Sequence, residues 1–299
     1  MKPIIFGTRG SALALAQTEL IRAMLQKAHP ALQTEVRIIK TSGDIFQTAS
    51  LASSGGKGLF TKEIEDQMLQ GAIDLAVHSL KDLPTILPDG LTIGAVPPRE
   101  DARDVFISKR YTTLDSLPPG ARVATSSVRR AAQLWAHRPD LQMEPIRGNL
   151  DTRLRKLDEN PAFDATILAA AGLHRLGLMP QWPQFHFQVL DIDVMIPAVG
   201  QGAIAVEVRE ADLPTQELLS AVNDADVLAC IEAERVFLRV LGGGCHVPFA
   251  AHATIHGDQM RMVAGKFSPD GKQAARTDLT GPKTDPHTLG ERAAQAVGG

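Results

Sequence analysis

Short β-branched runs alternate with amphipathic helical stretches through much of this chain. That alternation leaves few folds open, because successive parallel strands need a crossover between them and an amphipathic helix is the usual one. Pro3 to Thr8 reads as a strand, followed by a helix from about Ala12 whose Leu20, Ile21, Met24, Leu25 and Ala28 recur at the helical period. Glu35 to Lys40, Ile73 to Val77 and Leu91 to Val96 are further strand candidates, and Thr61 to Leu69 is helical with Ile64 and Met68 four apart. The pattern breaks at Pro97-Pro98-Arg99-Glu100-Asp101 and starts again. Asp104 to Ile107, Ala121 to Thr125, Met143 to Ile146 and Asp164 to Leu168 read as strands. Ser126-Ser127 offers a helix N-cap before Arg129, and Leu150, Leu154 and Leu157 share a helical face. Residues 196–202 look like a second crossover, leading into a strand over Ala203 to Val208. The rhythm predicts mainly parallel sheets covered on both faces.

The C-terminal part differs in kind. A long helix, with Val227/Ile231, Val236/Val240 and Phe237/Leu241 at i,i+4 spacing, runs into Gly242-Gly243-Gly244. Ala250 to His256 and Met260 to Phe267 flank Gly257-Asp258, a hairpin signal. A strand around Ala275 to Leu279 and a helix near Thr288 to Ala296 complete a small α+β unit. At about 100–200 residues per domain, 299 residues make two or three domains.

A net charge of −3 excludes a whole-chain polycation of the kind that coats nucleic acid. Two cysteines cannot form a disulfide framework, no zinc-type Cys/His spacing occurs, and no metal is expected. Arg9 interrupts the N-terminal apolar run before a signal-peptide core forms, so a reduced, cytoplasmic setting is expected. Two glycine-rich segments fail as nucleotide loops. Around Lys57, a Walker motif would need Gly at position 51 and Ser or Thr at 58, where the chain has Leu51 and Gly58. Gly200-Gln201-Gly202-Ala203-Ile204-Ala205 fits GxGxxA, but a strand follows instead of a helix.

The basic residues carry more information. Arg9, Lys57, Lys81, Arg129, Arg130, Arg147, Arg153 and Arg175 fall mostly at strand ends, in loops or in first helical turns, where open α/β sheets bind ligands. Each alone reads more readily as a solvated surface charge than as a ligand contact; as a set they point to a small polyanion held in an inter-domain cleft. Thr125, Ser126 and Ser127 add hydroxyls and helix-start N–H groups to Arg129 and Arg130. Asp82, beside Lys81 just past a strand, is either a cap or ion-pair partner, or a carboxylate that stabilises cationic character in a bound species. His78 reads as a structural hydrogen bonder. Cys230 sits mid-helix as a small core filler. Cys245, after three glycines, is either an incidental loop thiol or an attachment point activated by basic neighbours.

In order along nearly the whole chain stand Gly7-Thr8-Arg9-Gly10-Ser11, Lys40-Thr41-Ser42-Gly43-Asp44, Gly55-Gly56-Lys57-Gly58-Leu59-Phe60 and His78-Ser79-Leu80-Lys81-Asp82-Leu83-Pro84. They are followed by Arg99-Glu100-Asp101, Thr125 to Arg130, Arg147-Gly148-Asn149, Ala171-Gly172-Leu173, residues 197–203 and Gly243-Gly244-Cys245. Together these segments resemble the porphobilinogen deaminase family. The resemblance implies an α/β protein of three domains: two lobes like those of type II periplasmic binding proteins plus a small C-terminal α+β domain. On that basis domain 1 takes residues 1–97 and 198–219 with the active-site cleft. Domain 2 takes 98–197 with an arginine-rich cleft wall, and domain 3 takes 220–299 with the cofactor cysteine.

The same resemblance implies a transferase of tetrapyrrole and haem biosynthesis. It condenses four porphobilinogen molecules head to tail onto a covalent dipyrromethane primer, releasing ammonia and linear hydroxymethylbilane. Asp82 matches the catalytic aspartate, and Cys245 the thioether position of the dipyrromethane. Lys81, Asp82, Thr125, Ser127, Arg129, Arg130, Arg147, Arg153 and Asp44 match cofactor-binding positions. Arg9, Ser11, Arg147, Arg153, Arg175 and Gln201 match substrate-binding ones, and Lys57 and Phe60 a mobile loop. A monomer without nucleic-acid or membrane partners is implied. At His246 the chain departs from relatives, which commonly carry Gln there. The rival expectation is a non-catalytic small-anion-binding protein of the same lobed fold, which leaves Gly244-Cys245 unexplained.

Overall fold

The computed structural model describes residues 2–45, 60–242 and 247–298. From the N-terminus the elements are β1 (Ile4–Thr8), α1 (Ala12–Ala28), β2 (Thr34–Ile38), α2 (Ser42–Ile45), α3 (Lys62–Leu69), β3 (Leu75–Ser79) and β4 (Leu91–Ala95). A second series comprises β5 (Asp104–Ser108), β6 (Arg122–Ala124), α4 (Val128–His137), β7 (Gln142–Glu144), α5 (Leu150–Glu159), β8 (Ala165–Ala169), α6 (Ala170–Arg175) and β9 (His186–Val189). The chain then continues through β10 (Ile204–Arg209), α7 (Leu213–Ser220), α8 (Ala225–Val240), β11 (Phe249–His256), β12 (Gln259–Phe267), β13 (Ala274–Pro282) and α9 (Pro286–Ala296). It divides into two compact units: residues 1–99 with 203–228, and residues 100–202 with 229–299.

The first unit holds a five-stranded sheet of order β2-β1-β3-β10-β4, and the second one of order β7-β6-β8-β5-β9. These are the same arrangement. In each, three strands of the local series lie parallel. The fourth place goes to the strand that the chain delivers on arriving from the other unit, and it runs antiparallel to both neighbours. The expected alternation is therefore present twice, with one reversed strand per sheet.

Helices cover both faces of these sheets, which is why the strands are continuously apolar instead of alternating. In β3, Leu75 and Val77 join Phe6, Ile21, Leu25 and Val206 on one face, while Ala76 joins Ile39, Ile64 and Met68 on the other. In β5, Phe106 packs with Val123, Leu134 and Ile167, and Val105 and Ile107 pack with Leu154, Leu168 and Leu173. Each such side chain contributes roughly 1.5–3 kcal/mol when fully buried. In the second unit, the meander β11-β12-β13 closes with α8 and α9 over Phe237, Met260, Met262 and Leu289, and the Phe237 ring meets Phe249 edge-on at 6.4 Å. Ala132 of α4 shares a small core with Ala250 and Phe267 of this meander.

Several boundaries differ from expectation. β3 begins two residues later than Ile73 and so includes His78 and Ser79. β7 ends at Glu144, and β9 and α7 carry too little periodicity to be anticipated. α8 ends at Val240, just before Gly242, whose φ of +63° suits glycine and whose N–H donates to Arg239 O at 3.0 Å. No helix among the described residues is long and apolar enough to cross a membrane.

Candidate active site

In the first unit the site residues sit at the carboxyl ends of strands. Arg9 follows β1, its guanidinium carbon 4.2 Å from the centre of the Phe60 ring. Ser11 caps α1, accepting from Ala14 N at 3.3 Å. Past β3 the chain makes one tight helical turn over Leu80–Asp82. Leu80 and Leu83 are buried, Leu80 N donates to Ala203 O at 3.0 Å, and Leu83 N donates to Leu80 O at 3.0 Å. With both leucines facing inward, Lys81 and Asp82 are left exposed on the outer side of the turn.

Two buried polar pairs brace the strand leading to this turn. Gln17 of α1 donates through Nε2 to Ser79 Oγ at 2.9 Å. His78 Nε2 lies 3.0 Å from Glu207 Oε2 on the neighbouring β10, matching the structural role expected of that histidine. Glu65 of α3 is buried as well. Burial pushes its carboxyl up, partly offset by Thr61 and reinforced by the charge of Glu207.

In the second unit Thr125 is buried at the end of β6, and Ser127, not Ser126, caps α4 by accepting from Arg130 N at 3.4 Å. Ser126 instead donates its hydroxyl to Ile146 O at 2.8 Å. Arg129 and Arg130 occupy the first turn of α4, where the helix dipole already presents positive charge, so a counter-anion is required. Asp104, at the head of β5, supplies it. Arg129 Nη2 donates to Asp104 Oδ2 at 2.7 Å, and Arg130 donates through Nε and Nη2 to Oδ1 at 3.0 and 2.7 Å. Asp104 is fully buried, and Arg129 and Arg130 retain 6% and 7% of their exposure. Burial alone would raise the Asp104 carboxyl, but the two guanidiniums outweigh it and hold the group at about 2. Arg129 is lowered by burial and by Arg130, against the pull of Asp104.

Gln201 joins the same cluster, donating through Nε2 to Ala102 O at 2.7 Å and Asp104 Oδ1 at 3.1 Å. Next to it, Gly202 has a φ of +86°, and a Cβ there would stand 2.4 Å from Glu100 O. Arg175, at the end of α6, donates to Gly202 O at 2.8 Å; burial lowers its guanidinium, against the charge of Glu100. Arg153 Nε donates to Gly148 O at 2.8 Å and Lys156 to Arg147 O at 2.9 Å, so α5 holds the loop that exposes Arg147.

Among the expected residues, the structure thus brings Arg129, Arg130 and Gln201 onto one carboxylate, and Arg147 and Arg153 onto one loop. Lys57, Cys245 and the side chain of Asp44 lie outside the described residues. Asp104, Gln17 and Glu207 are not among the candidate site residues expected from the sequence, where Asp104 enters only as the start of a strand. For Asp104 a signal existed: an acid opening an otherwise apolar strand must find a cation once buried, and two arginines in a first helical turn need an anion.

Two sheets of one strand order, with cations and the exposed Asp82 at strand and helix ends, define an α/β protein. The family model described as "Porphobilinogen deaminase, dipyromethane cofactor binding domain" matches residues 4–217, and that for "Porphobilinogen deaminase, C-terminal domain" matches 228–297. The porphobilinogen deaminase of Geobacillus kaustophilus is 48% identical over 98% of this chain and 93% of its own length. That of Acidithiobacillus ferrooxidans is 49% identical over 97% and 93%. The periplasmic VFT2 domain of BvgS from Bordetella pertussis is similar at 13% identity and a TM-score of 0.43, covering 77% of this chain and 91% of that one. The chain belongs to the porphobilinogen deaminase family.

Proposed function

We propose that this chain is a transferase that joins four porphobilinogen molecules head to tail on a covalently held dipyrromethane, releasing ammonia and linear hydroxymethylbilane. Membership of the family across both matched regions carries this reading, and it favours the enzyme over the non-catalytic anion-binding alternative. The chemistry of the donor set fits the cofactor, whose acetate and propionate groups call for several cations near backbone N–H donors. Arg129 and Arg130 keep one positive charge beyond Asp104, Ser127 starts a helix beside them, and Lys81 and Arg147 are exposed. When bound, the dipyrromethane supplies the acceptor pyrrole from which the product grows.

Asp82 is the catalytic group in this reading. Its carboxylate accepts the pyrrole N–H of porphobilinogen and stabilises the positive charge that develops as the aminomethyl nitrogen departs as ammonia. Burial of Leu80 and Leu83 fixes the turn, so the carboxylate is oriented before substrate arrives. Arg9, Ser11, Arg147, Arg153, Arg175 and Gln201 hold substrate carboxylates. Lys81, Thr125, Ser127, Arg129, Arg130, Arg147, Arg153 and Asp44 hold those of the cofactor, which Cys245 anchors as a thioether. Lys57 and Phe60 belong to a loop that excludes water. The three-domain division, over residues 1–97 with 198–219, 98–197 and 220–299, belongs to the same proposal, as does a cytoplasmic monomer without nucleic-acid or membrane partners.

Incubating the purified chain with porphobilinogen tests the reaction. Ammonia release in step with hydroxymethylbilane formation is expected; tight porphobilinogen binding without ammonia release would leave the binding-protein alternative standing.

A further inference from the structure

Asp104 forms four hydrogen bonds from three side chains, and each donor comes from a residue already placed in the proposed anion site. The two oxygens divide the work. Oδ2 takes Arg129 alone, while Oδ1 takes the side of the Arg130 fork and the Gln201 amide. Each guanidinium still has unspent N–H groups, since a guanidinium carries five donors. Arg129 spends Nη1 on Ile196 O at 2.6 Å, and Gln133 holds the same carbonyl at 3.0 Å, so this arginine is clamped at both ends. The charged groups that the described residues bring against Asp104 are these two arginines, so the cluster carries two positive charges and one negative.

Counting arginines alone would assign this place two ligand carboxylates. We propose instead that Asp104 is the positioning residue of the anion site: it aims Arg129 and Arg130 and cancels one of their charges, so that the pair holds a single carboxylate of a bound pyrrole. Gln201 links this cluster to the returning crossover, because its amide bonds both Asp104 and the Ala102 carbonyl. The inference rests on the porphobilinogen deaminase reading and extends it to a residue that touches neither substrate nor cofactor. Nearly complete burial makes the geometry costly to change, since an uncompensated guanidinium in that place would have no water to turn to.

Two variants test it, both exposed to porphobilinogen and then isolated as the folded fraction. Primer occupancy is read by intact mass, and KM and kcat by product formation. Asp104→Asn keeps the side-chain shape but replaces one acceptor oxygen with an NH2 group that cannot accept from a guanidinium, so one arginine loses its aim even though the cluster gains net positive charge. At least a tenfold fall in occupancy or rise in KM is expected, with kcat per loaded molecule changed far less. Occupancy and KM both within twofold of wild type would overturn the proposal. Should Asp104→Asn not fold, Gln201→Glu decides. It sets a second carboxylate against Asp104 and takes the cluster from one net positive charge to none. Its occupancy and porphobilinogen affinity should fall at least tenfold, because the arginines that keep Asp104 ionised keep the introduced carboxylate ionised too and spend their second charge on it. Occupancy and affinity both within twofold of wild type would overturn it. Failure of the wild type itself to acquire mass or release ammonia would instead strike the parent reading.

Discussion

At the scale of single residues, the separation between exposed and buried acids is the informative feature. Asp82 is exposed on a turn held by two buried leucines, so Asp82→Asn should leave melting unchanged while lowering kcat by roughly 10²–10³, the usual effect of removing one preorganised electrostatic group. Steady-state turnover with circular dichroism as a control checks this; near-wild-type turnover would end the assignment. Arg147→Ala, which removes an exposed charge, should lose a charge-assisted contact of about 1.5–3 kcal/mol. The loss should show in mass spectra as stalling at one product length. The exposed Lys81-Asp82 pair was legible in the sequence because a strand end followed by polar residues announces itself. Asp104 was not, since its partners stand 25 and 26 positions away and no local spacing connects them.

Among the elements, α3 carries a cost in its first turn. Glu65 is buried against β3 and β10 with its carboxyl raised, chiefly by burial, so the folded protein holds the proton more tightly than the unfolded chain does. Stability from this group is therefore greatest at low pH and is lost as pH rises through the raised value. Glu65→Gln should increase the melting temperature at pH 8 by about 2–4 °C, equivalent to ~1 kcal/mol, and by nothing near pH 4. Calorimetry at the two pH values separates this from a pH-independent packing effect. The crossover glycine makes the opposite case. Gly202→Ala combines a left-handed backbone with a Cβ placed 2.4 Å from Glu100 O, and should cost more than about 2 kcal/mol in urea unfolding. Element types were largely readable from periodicity. The two-residue slip at β3 arose because Ile73 to Val77 is apolar except for Asp74, and a strand buried on both faces offers no alternation to set its register. The reversed direction of β5 and β10 depends on their distant neighbours and leaves no trace in their own composition.

For the whole molecule, one repeated sheet order explains how a chain with four per cent aromatic residues builds its α/β cores, using Ile, Leu, Val and Ala on both faces of each sheet. Acid should weaken the second unit in a defined window. Asp104 is lowered from 3.8 to about 2, so its stabilisation is complete above its ordinary range and vanishes as pH falls through about 2, leaving Arg129 and Arg130 facing each other. Thermal melts between pH 5 and pH 2 should show this decline, and a flat profile would deny the buried ion cluster its stabilising role. Cys245 lies outside the described residues, so its role rests on the family and on chemistry. The most direct measurement is the intact mass of the purified, active protein and of its Cys245→Ser and Cys230→Ser variants. The active protein should exceed 32.1 kDa by two condensed porphobilinogen units, Cys230→Ser should keep that increment, and Cys245→Ser should lack it. An active protein weighing no more than its amino acids, or a Cys245→Ser protein that keeps the increment, would contradict the proposed chemistry.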